Sequence, residues 1–253
     1  MEKYQIIEQS IIKKFRPQIW RMFIRAIDEY KLIEENDKIA ICISGGKDSM
    51  LLAKCMEELQ KHGNVKFDLV YLCMDPGYNT KNVEKIKQNA ILLNLHLDFF
   101  HSNIFDYVKK IDESPCYLCA RMRRGTLYSK AKELGCNKVA YAHHMDDIIE
   151  TMFLSMFYEG QFYSFAPVTH LDRSGITVIR PLMYVPEANV IGFLHKYHLP
   201  LVKNPCPADG ETKREYVKQL VRQINLENPG VKKRIFHAIC TGRIEGWNIN
   251  GKQ

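Results

Sequence analysis

From residue 37 onward, short apolar runs rich in β-branched residues alternate with stretches in which apolar positions recur every three or four residues. The pattern predicts strands over 38–43, 66–73, 96–101 and 138–142, and helices over 47–61, 80–94, 117–134 and 145–158. Such alternation is the signature of an α/β fold, a parallel sheet with helices on both faces. Ahead of it, residues 1–36 read as a basic amphipathic helical segment, with Ile6, Ile7, Ile11, Ile19, Phe23 and Ile27 spaced roughly for one face and Pro17 breaking or kinking it. Residues 160–182 read as a loop that ends in a last strand, Thr177-Val178-Ile179. Residues 186–198 and 211–240 read as helical, with Lys203 to Gly210 as an irregular link between them. No internal repeat or low-complexity segment interrupts the pattern. The expected organisation is an N-terminal helical segment over 1–36, an α/β domain over 37–205 and a C-terminal helical segment over 206–253.

Composition narrows the function classes. No apolar run approaches the roughly 20 residues that span a bilayer, and the start, Met1-Glu2-Lys3-Tyr4-Gln5, lacks a signal-peptide pattern. A cytoplasmic protein without membrane attachment is therefore expected. The eight cysteines sit in a chain of 253 residues, far larger than a disulfide-stapled miniprotein, so they are expected to be reduced core residues, metal ligands or catalytic thiols. A formal charge of +7 suits a polyanionic partner.

The segment with the most chemistry is Ser44-Gly45-Gly46-Lys47-Asp48-Ser49, between the apolar run Ile39 to Ile43 and the helix-like Met50-Leu51-Leu52-Ala53-Lys54. Two glycines let backbone N–H groups approach a ligand, and a helix N-terminus adds donors and partial positive charge, so the loop suits an anion. Lys47 supplies a mobile cation, Asp48 a magnesium ligand, and Ser44 and Ser49 hydroxyl donors. The loop lacks the four residues that separate glycine from Gly-Lys in the kinase-type phosphate loop. Instead it resembles the pyrophosphate loop of the adenylating enzymes called N-type ATP pyrophosphatases. In parallel sheets ligands sit beyond the carboxyl ends of the strands, where Met74-Asp75-Pro76-Gly77 and His143-His144 also fall. Asp75 suits ribose or adenine, or else simply forms the turn. His143 and Asp147 are expected on one face of the helix that the pair opens, with Asp147 and Thr151 on the same stripe. There they suit phosphate or magnesium, with capping as the plainer alternative.

Cys116 and Cys119, in Pro-Cys-Tyr-Leu-Cys, have a spacing that lets two sulfurs converge on one metal, and Cys206 in Asn-Pro-Cys-Pro is a third candidate. Spacing alone leaves a redox dithiol, half of a zinc site and three-point ligation of a 4Fe-4S cluster open. Cys42, Cys55 and Cys73 lie in apolar runs and read as core; Cys136 and Cys240 are left undecided, with burial preferred. Arg121, Arg123 and Arg124 follow the dithiol, and Lys13, Lys14, Arg16, Arg21 and Arg25 lie in the first segment. Both sets suit RNA phosphates, or else form solvated helix faces.

In that order, Ser44 to Ser49, Cys116-Tyr-Leu-Cys119-Ala-Arg-Met-Arg-Arg-Gly125, Ala142-His-His-Met-Asp-Asp147-Ile-Ile-Glu150-Thr151 and Ile179-Arg180-Pro181-Leu182 resemble the TtcA family of tRNA 2-thiocytidine synthetases. The resemblance covers roughly residues 37 to 206 and implies a PP-loop ATP-pyrophosphatase domain of Rossmann-like, HUP architecture. It implies ATP and magnesium at the glycine loop and a 4Fe-4S cluster on Cys116, Cys119 and Cys206. It further implies a tRNA cytidine whose C2 oxygen is adenylated and then replaced by sulfur. The partners expected are tRNA and a sulfur donor such as a cysteine desulfurase or free sulfide, with a homodimer left open. Two other functions keep the loop: an amide-forming adenylating ligase with a structural zinc or redox cysteine pair, and a nucleotide-sensing tRNA-binding protein without turnover.

Overall fold

A computed structural model describes residues 2–77, 80–108, 115–197 and 212–242. The chain divides into two compact units, Met1–His144 with Ala166–Asp209, and Met145–Phe165 with Gly210–Gln253.

The first unit is built on a six-stranded sheet. Its strands are β1 (Lys38–Cys42), β2 (Asp68–Asp75), β3 (Leu97–His101), β4 (Lys138–Ala140), β5 (Val168–Leu171) and β6 (Ile176–Ile179), in the order β3-β2-β1-β4-β6-β5. All neighbours run parallel except β5, which pairs antiparallel with β6. In β1, Ile39, Ala40 and Ile41 are all buried, the continuous apolar run that a central parallel strand covered on both faces requires. Ala40 stands opposite Val70 on one side and Val139 on the other.

The helices of this unit are α1 (Lys3–Ile12), α2 (Arg21–Glu29), α3 (Lys47–His62), α4 (Thr80–Leu92), α5 (Ile104–Val108), α6 (Pro115–Glu133) and, beyond the second unit's first helix, α8 (Glu187–Tyr197). Helix α3 carries Asp48 in its first turn and Lys61 and His62 in its last, charges of the sign that its dipole favours at each end. One core cluster joins Ala40, Leu72, Met74 and Val139 of the strands to Leu127 and Ala131 of α6, with Cys119, Met122 and Tyr141 packed at its margin.

The second unit contains α7 (Met145–Tyr158), α9 (Lys213–Glu227) and α10 (Val231–Thr241), which pack on one another. Thr212 caps α9, its hydroxyl accepting from the Glu215 N–H at 3.3 Å.

Several expectations change. The N-terminal segment is two α-helices joined by a π-helical turn, Arg16–Trp20, formed where Pro17 cannot donate to the helical ladder. Ile7, Ile11, Ile19, Phe23 and Ile27 are buried, but Ile6 is exposed. The stretch read as a loop over 160–182 contains β5. The helix expected over 211–240 is broken at Asn228-Pro229-Gly230, where Gly230 takes a left-handed φ of 85°. The link from Lys203 to Gly210 lies outside the described residues.

Candidate functional site

Five parallel strands bring their carboxyl ends to one edge of the first unit, and chain direction reverses its lateral progress there. From β1 the chain steps to β2 and β3 on one side, then returns to β4 on the other. Loops leaving β1 and β4 therefore diverge and leave a crevice between them. The glycine loop leaves β1, and Tyr141 to His144 leave β4.

The loop is held by its own hydroxyls. Ser49 Oγ donates to the Gly46 carbonyl at 3.0 Å and accepts from the Ser44 N–H at 3.2 Å, while Ser44 Oγ accepts from the Gly46 N–H at 3.4 Å. Gly45 turns the chain with a φ of 79°, a conformation that strains any residue with a Cβ. The first intrahelical bond of α3 runs from Met50 N–H to the Gly46 carbonyl, so the N–H groups at 47 to 49 lie ahead of the helical ladder. Partial positive charge at the head of this sixteen-residue helix is concentrated where the loop presents its backbone.

Lys47, Asp48, His144 and Glu187 form a polar group at the loop. Lys47 Nζ lies 3.0 Å from Asp48 Oδ2 and 3.1 Å from Glu187 Oε1, the latter from the first turn of α8. Burial works to lower the Lys47 pKa, but the two carboxylates outweigh it and hold the ammonium above its ordinary value. His144 Nε2 stands 3.7 Å from Asp48 Oδ1, too far for a hydrogen bond, and that oxygen is buried without a hydrogen-bond partner among the described residues. A buried, unbonded carboxylate oxygen beside an anion-binding loop is the donor that a hard divalent cation such as Mg²⁺ takes, so Asp48 fits that metal.

At the end of β2, Asp75 is buried and directly opposite His101 of β3. One of its oxygens accepts from the Gly77 N–H at 2.9 Å, and the other lies 3.2 Å from His101 Nδ1, whose ring reaches Asn103 through Nε2 at 3.0 Å. Asp75 thus shapes its own turn, as the plainer expectation held, while remaining on the sheet edge shared with the loop. Beyond β4, the His143 ring stacks on Tyr141 with centroids 5.6 Å apart.

Positions 116 and 119 share a face at the start of α6, the side chain of Cys119 half-buried. The side chain of Cys116 and the whole of Cys206 lie outside the described residues. Among described residues no three His, Cys, Asp or Glu side chains gather as a metal cluster. Burial pushes the Cys42 and Cys73 thiols up to about 12, as expected of core cysteines rather than ligands, and Cys55 and Cys136 are buried with raised values too. Cys240 is exposed, against expectation. Arg121 and Arg124 are exposed on α6; Arg123 is half-buried, and its charge is felt at the Cys42 and Cys73 thiols. Arg25 is engaged with Glu29 at 3.0 Å and lies over the Tyr184 ring.

In the second unit, Arg214 reaches Asp147 at 3.5 Å, Thr151 at 3.3 Å and Glu150 at 3.6 Å, and Lys232 reaches Asp146 at 2.6 Å. Asp147 and Thr151 do share one stripe. His143 does not join them by helical spacing, because α7 begins only at Met145.

The sequence places the His143-His144 pair at this edge and points to His143 for the chemistry; His144 stands near Asp48, and Glu187 has no place in that reading. Glu187 carried a usable signal, an acidic residue opening a helix soon after the carboxyl end of β6.

A family model for the PP-loop domain matches residues 16–224. The chain is 35% identical over 241 residues to the tRNA-cytidine(32) 2-sulfurtransferase of Geotalea uraniireducens, covering 93% of this chain and 94% of that one. It is 38% identical over 242 residues to the enzyme of the same name from Citrifermentans bemidjiense, covering 92% of each. Among solved structures, the U34-tRNA thiolase NcsA from Methanococcus maripaludis, determined with its 4Fe-4S cluster, aligns with a TM-score of 0.68 and 21% identity. That alignment covers 87% of this chain and 76% of that one, and the likeness is one of fold.

Proposed function

The chain belongs to the PP-loop family, with tRNA-cytidine(32) 2-sulfurtransferases among its relatives, and from that premise we propose that it is an ATP-dependent tRNA sulfurtransferase acting on C2 of a cytidine. The cytidine C2 oxygen attacks the α-phosphorus of ATP, the bond to the β-phosphate bridging oxygen breaks, and pyrophosphate leaves with the electron pair. Hydrosulfide then attacks C2, the C2–O bond breaks and AMP departs. The transferred sulfur arrives at the sulfide level, as free sulfide or from a cysteine desulfurase with a thiol reductant.

The observation that carries this reading is the loop itself: Gly45 in a left-handed turn at the head of α3, with Lys47 and Asp48 beside it. Backbone donors of the loop and Lys47 bind the polyphosphate and stabilise the leaving pyrophosphate, and Asp48 holds Mg²⁺ through its buried oxygen. Ser44 and Ser49 keep the loop in shape, and Gly46 leaves room for close approach. Asp75 orients the nucleoside from the end of β2. His143, on the same sheet edge as the loop, acts at the phosphates or the metal. Cys116, Cys119 and Cys206 would hold a 4Fe-4S cluster, which when bound supplies the coordination position that carries the sulfur. Exposed Arg121 and Arg124 suit tRNA phosphates, with Arg123 between them. No helix among the described residues is long and apolar enough to cross a membrane, and ATP, tRNA and sulfide all favour a cytoplasmic site of action.

The test is anaerobic incubation of cluster-reconstituted protein with unmodified tRNA, ATP, Mg²⁺ and sulfide, followed by nucleoside mass analysis. A cytidine carrying sulfur in place of oxygen is the expected product. ATP cleavage stimulated by a small carboxylate, with no thionucleoside, would move the assignment to an amide-forming ligase.

A further inference from the structure

We infer that Glu187 is a positioning residue that competes with bound polyphosphate for Lys47, and thereby speeds pyrophosphate release. The inference rests on the adenylating role of the loop and assigns a further residue to it.

Lys47 is the mobile cation of the loop, and its side chain is only 19% exposed. A partly buried ammonium is costly to leave without an anion, so whichever partner departs must be replaced. Two carboxylates hold it: Asp48, its neighbour in the chain, and Glu187, which arrives from a different element and is 14% exposed. Asp48 also offers a buried oxygen suited to Mg²⁺, so metal binding draws its charge away from Lys47. Glu187 has the opposite allegiance. It sits in the first turn of α8, where the helix dipole favours its negative charge in place, and its Oε1 is directed at Lys47.

A polyphosphate that engages Lys47 must draw the ammonium away from this fixed carboxylate, and the attraction given up in that ion pair opposes binding. The same competition helps the leaving group out. When pyrophosphate departs, Glu187 recovers Lys47, and the departure leaves no uncompensated cation. For an enzyme whose first product is a tightly chelated trianion or tetra-anion, a built-in competitor keeps the loop from being trapped by it.

The test is titration with inorganic pyrophosphate and Mg²⁺, by calorimetry, of the wild-type chain, Glu187→Gln, Glu187→Asp and the pair Lys47→Met with Lys47→Met/Glu187→Gln. Glu187→Gln is expected to tighten pyrophosphate by about tenfold, near 1.4 kcal/mol, to lower the KM for ATP, and to slow multiple turnovers more than the first. Glu187→Asp, which keeps the charge, is expected to stay within about threefold of wild type. In the Lys47→Met background the Gln substitution is expected to change nothing. Weaker pyrophosphate binding by Glu187→Gln with a lowered melting temperature would mean a structural role and overturn the inference. Tightening that persists without Lys47 would also overturn it, because Glu187 would then act on the ligand directly. A wild-type chain that binds neither ATP nor pyrophosphate would overturn the adenylating reading instead. Tightening through Lys47 alongside absent tRNA thiolation would uphold Glu187's role while removing only the thiolation.

Discussion

Replacing Lys54 by Met tests whether a buried charge network fastens the helix that carries the loop. Lys54 lies two turns into α3, its side chain 1% exposed. Its ammonium contacts Glu8 of α1 at 2.6 Å, pairs with Glu57 of α3, and donates to the Leu93 carbonyl at 2.8 Å. Methionine matches the side chain's length, so little cavity forms. What is lost is the charge that offsets two carboxylates, each no more than 15% exposed. Breaking a buried pair by removing one partner costs about 3–5 kcal/mol. Here Lys61 still reaches Glu8 at 3.0 Å and Tyr71 still bonds Glu57, which argues for the lower end, about 3 kcal/mol. For a chain of this size that is a melting-temperature drop of roughly 6–12 °C. Thermal denaturation at pH 7 of wild type, Lys54→Met and the triple variant Glu8→Gln/Lys54→Met/Glu57→Gln measures it. The triple variant is expected to regain part of the loss, since no orphaned charge remains. A single variant melting within about 1 °C of wild type, or a triple variant less stable than the single one, would refute the reasoning.

Other expectations are narrower. Gly45→Ala forces a Cβ into a left-handed φ and is expected to cost about 1–2 kcal/mol at the loop, read as weakened ATP binding in a fluorescent-nucleotide displacement assay; unchanged affinity would mean the loop adopts another shape. The Glu8 carboxyl, which burial alone would raise, is held below its ordinary value of 4.5 by Lys54 and Lys61. Its contribution to stability is therefore full above that value and lost as pH falls through the lower folded one. Glu8→Gln should accordingly flatten the acid limb of a melting-temperature profile and fail the argument if the limb is unchanged. Cys119→Ala is expected to abolish iron-sulfide absorbance and thiolation while leaving pyrophosphate binding within about twofold, and a variant that still thiolates would free Cys119 from that role.

The central sheet was legible because its strands are buried on both faces and so read as unbroken apolar runs; Ile39 to Cys42 needs no tertiary knowledge to be recognised. The strand Val168–Leu171 was not, since it is an edge strand whose outward positions are exposed, and nothing in Val-Thr-His-Leu distinguishes it from a loop. The break before α10 had a visible signal, Pro229-Gly230, which helical periodicity on both sides obscured. In the site, the glycine loop was readable because its constraints are local: a left-handed turn, a helix start, two hydroxyls five residues apart. Glu187 and His144 were not, because what makes them partners of Lys47 and Asp48 is the meeting of strand ends distant in sequence. Helical spacing was the wrong tool for His143, which precedes the first helical residue.

The raised thiols of Cys42 and Cys73 bear on selectivity of a different sort. Sulfane sulfur, the outer atom of a persulfide, passes between cysteines by thiolate attack that releases the donor as a thiolate, so a bystander thiolate within reach of a persulfide would take up and divert its sulfur. Pushed up to about 12 by burial, these two thiols stay protonated at pH 7. Sunk among strand residues, they are chemically silent neighbours. The core thereby contributes inertness at Cys42 and Cys73.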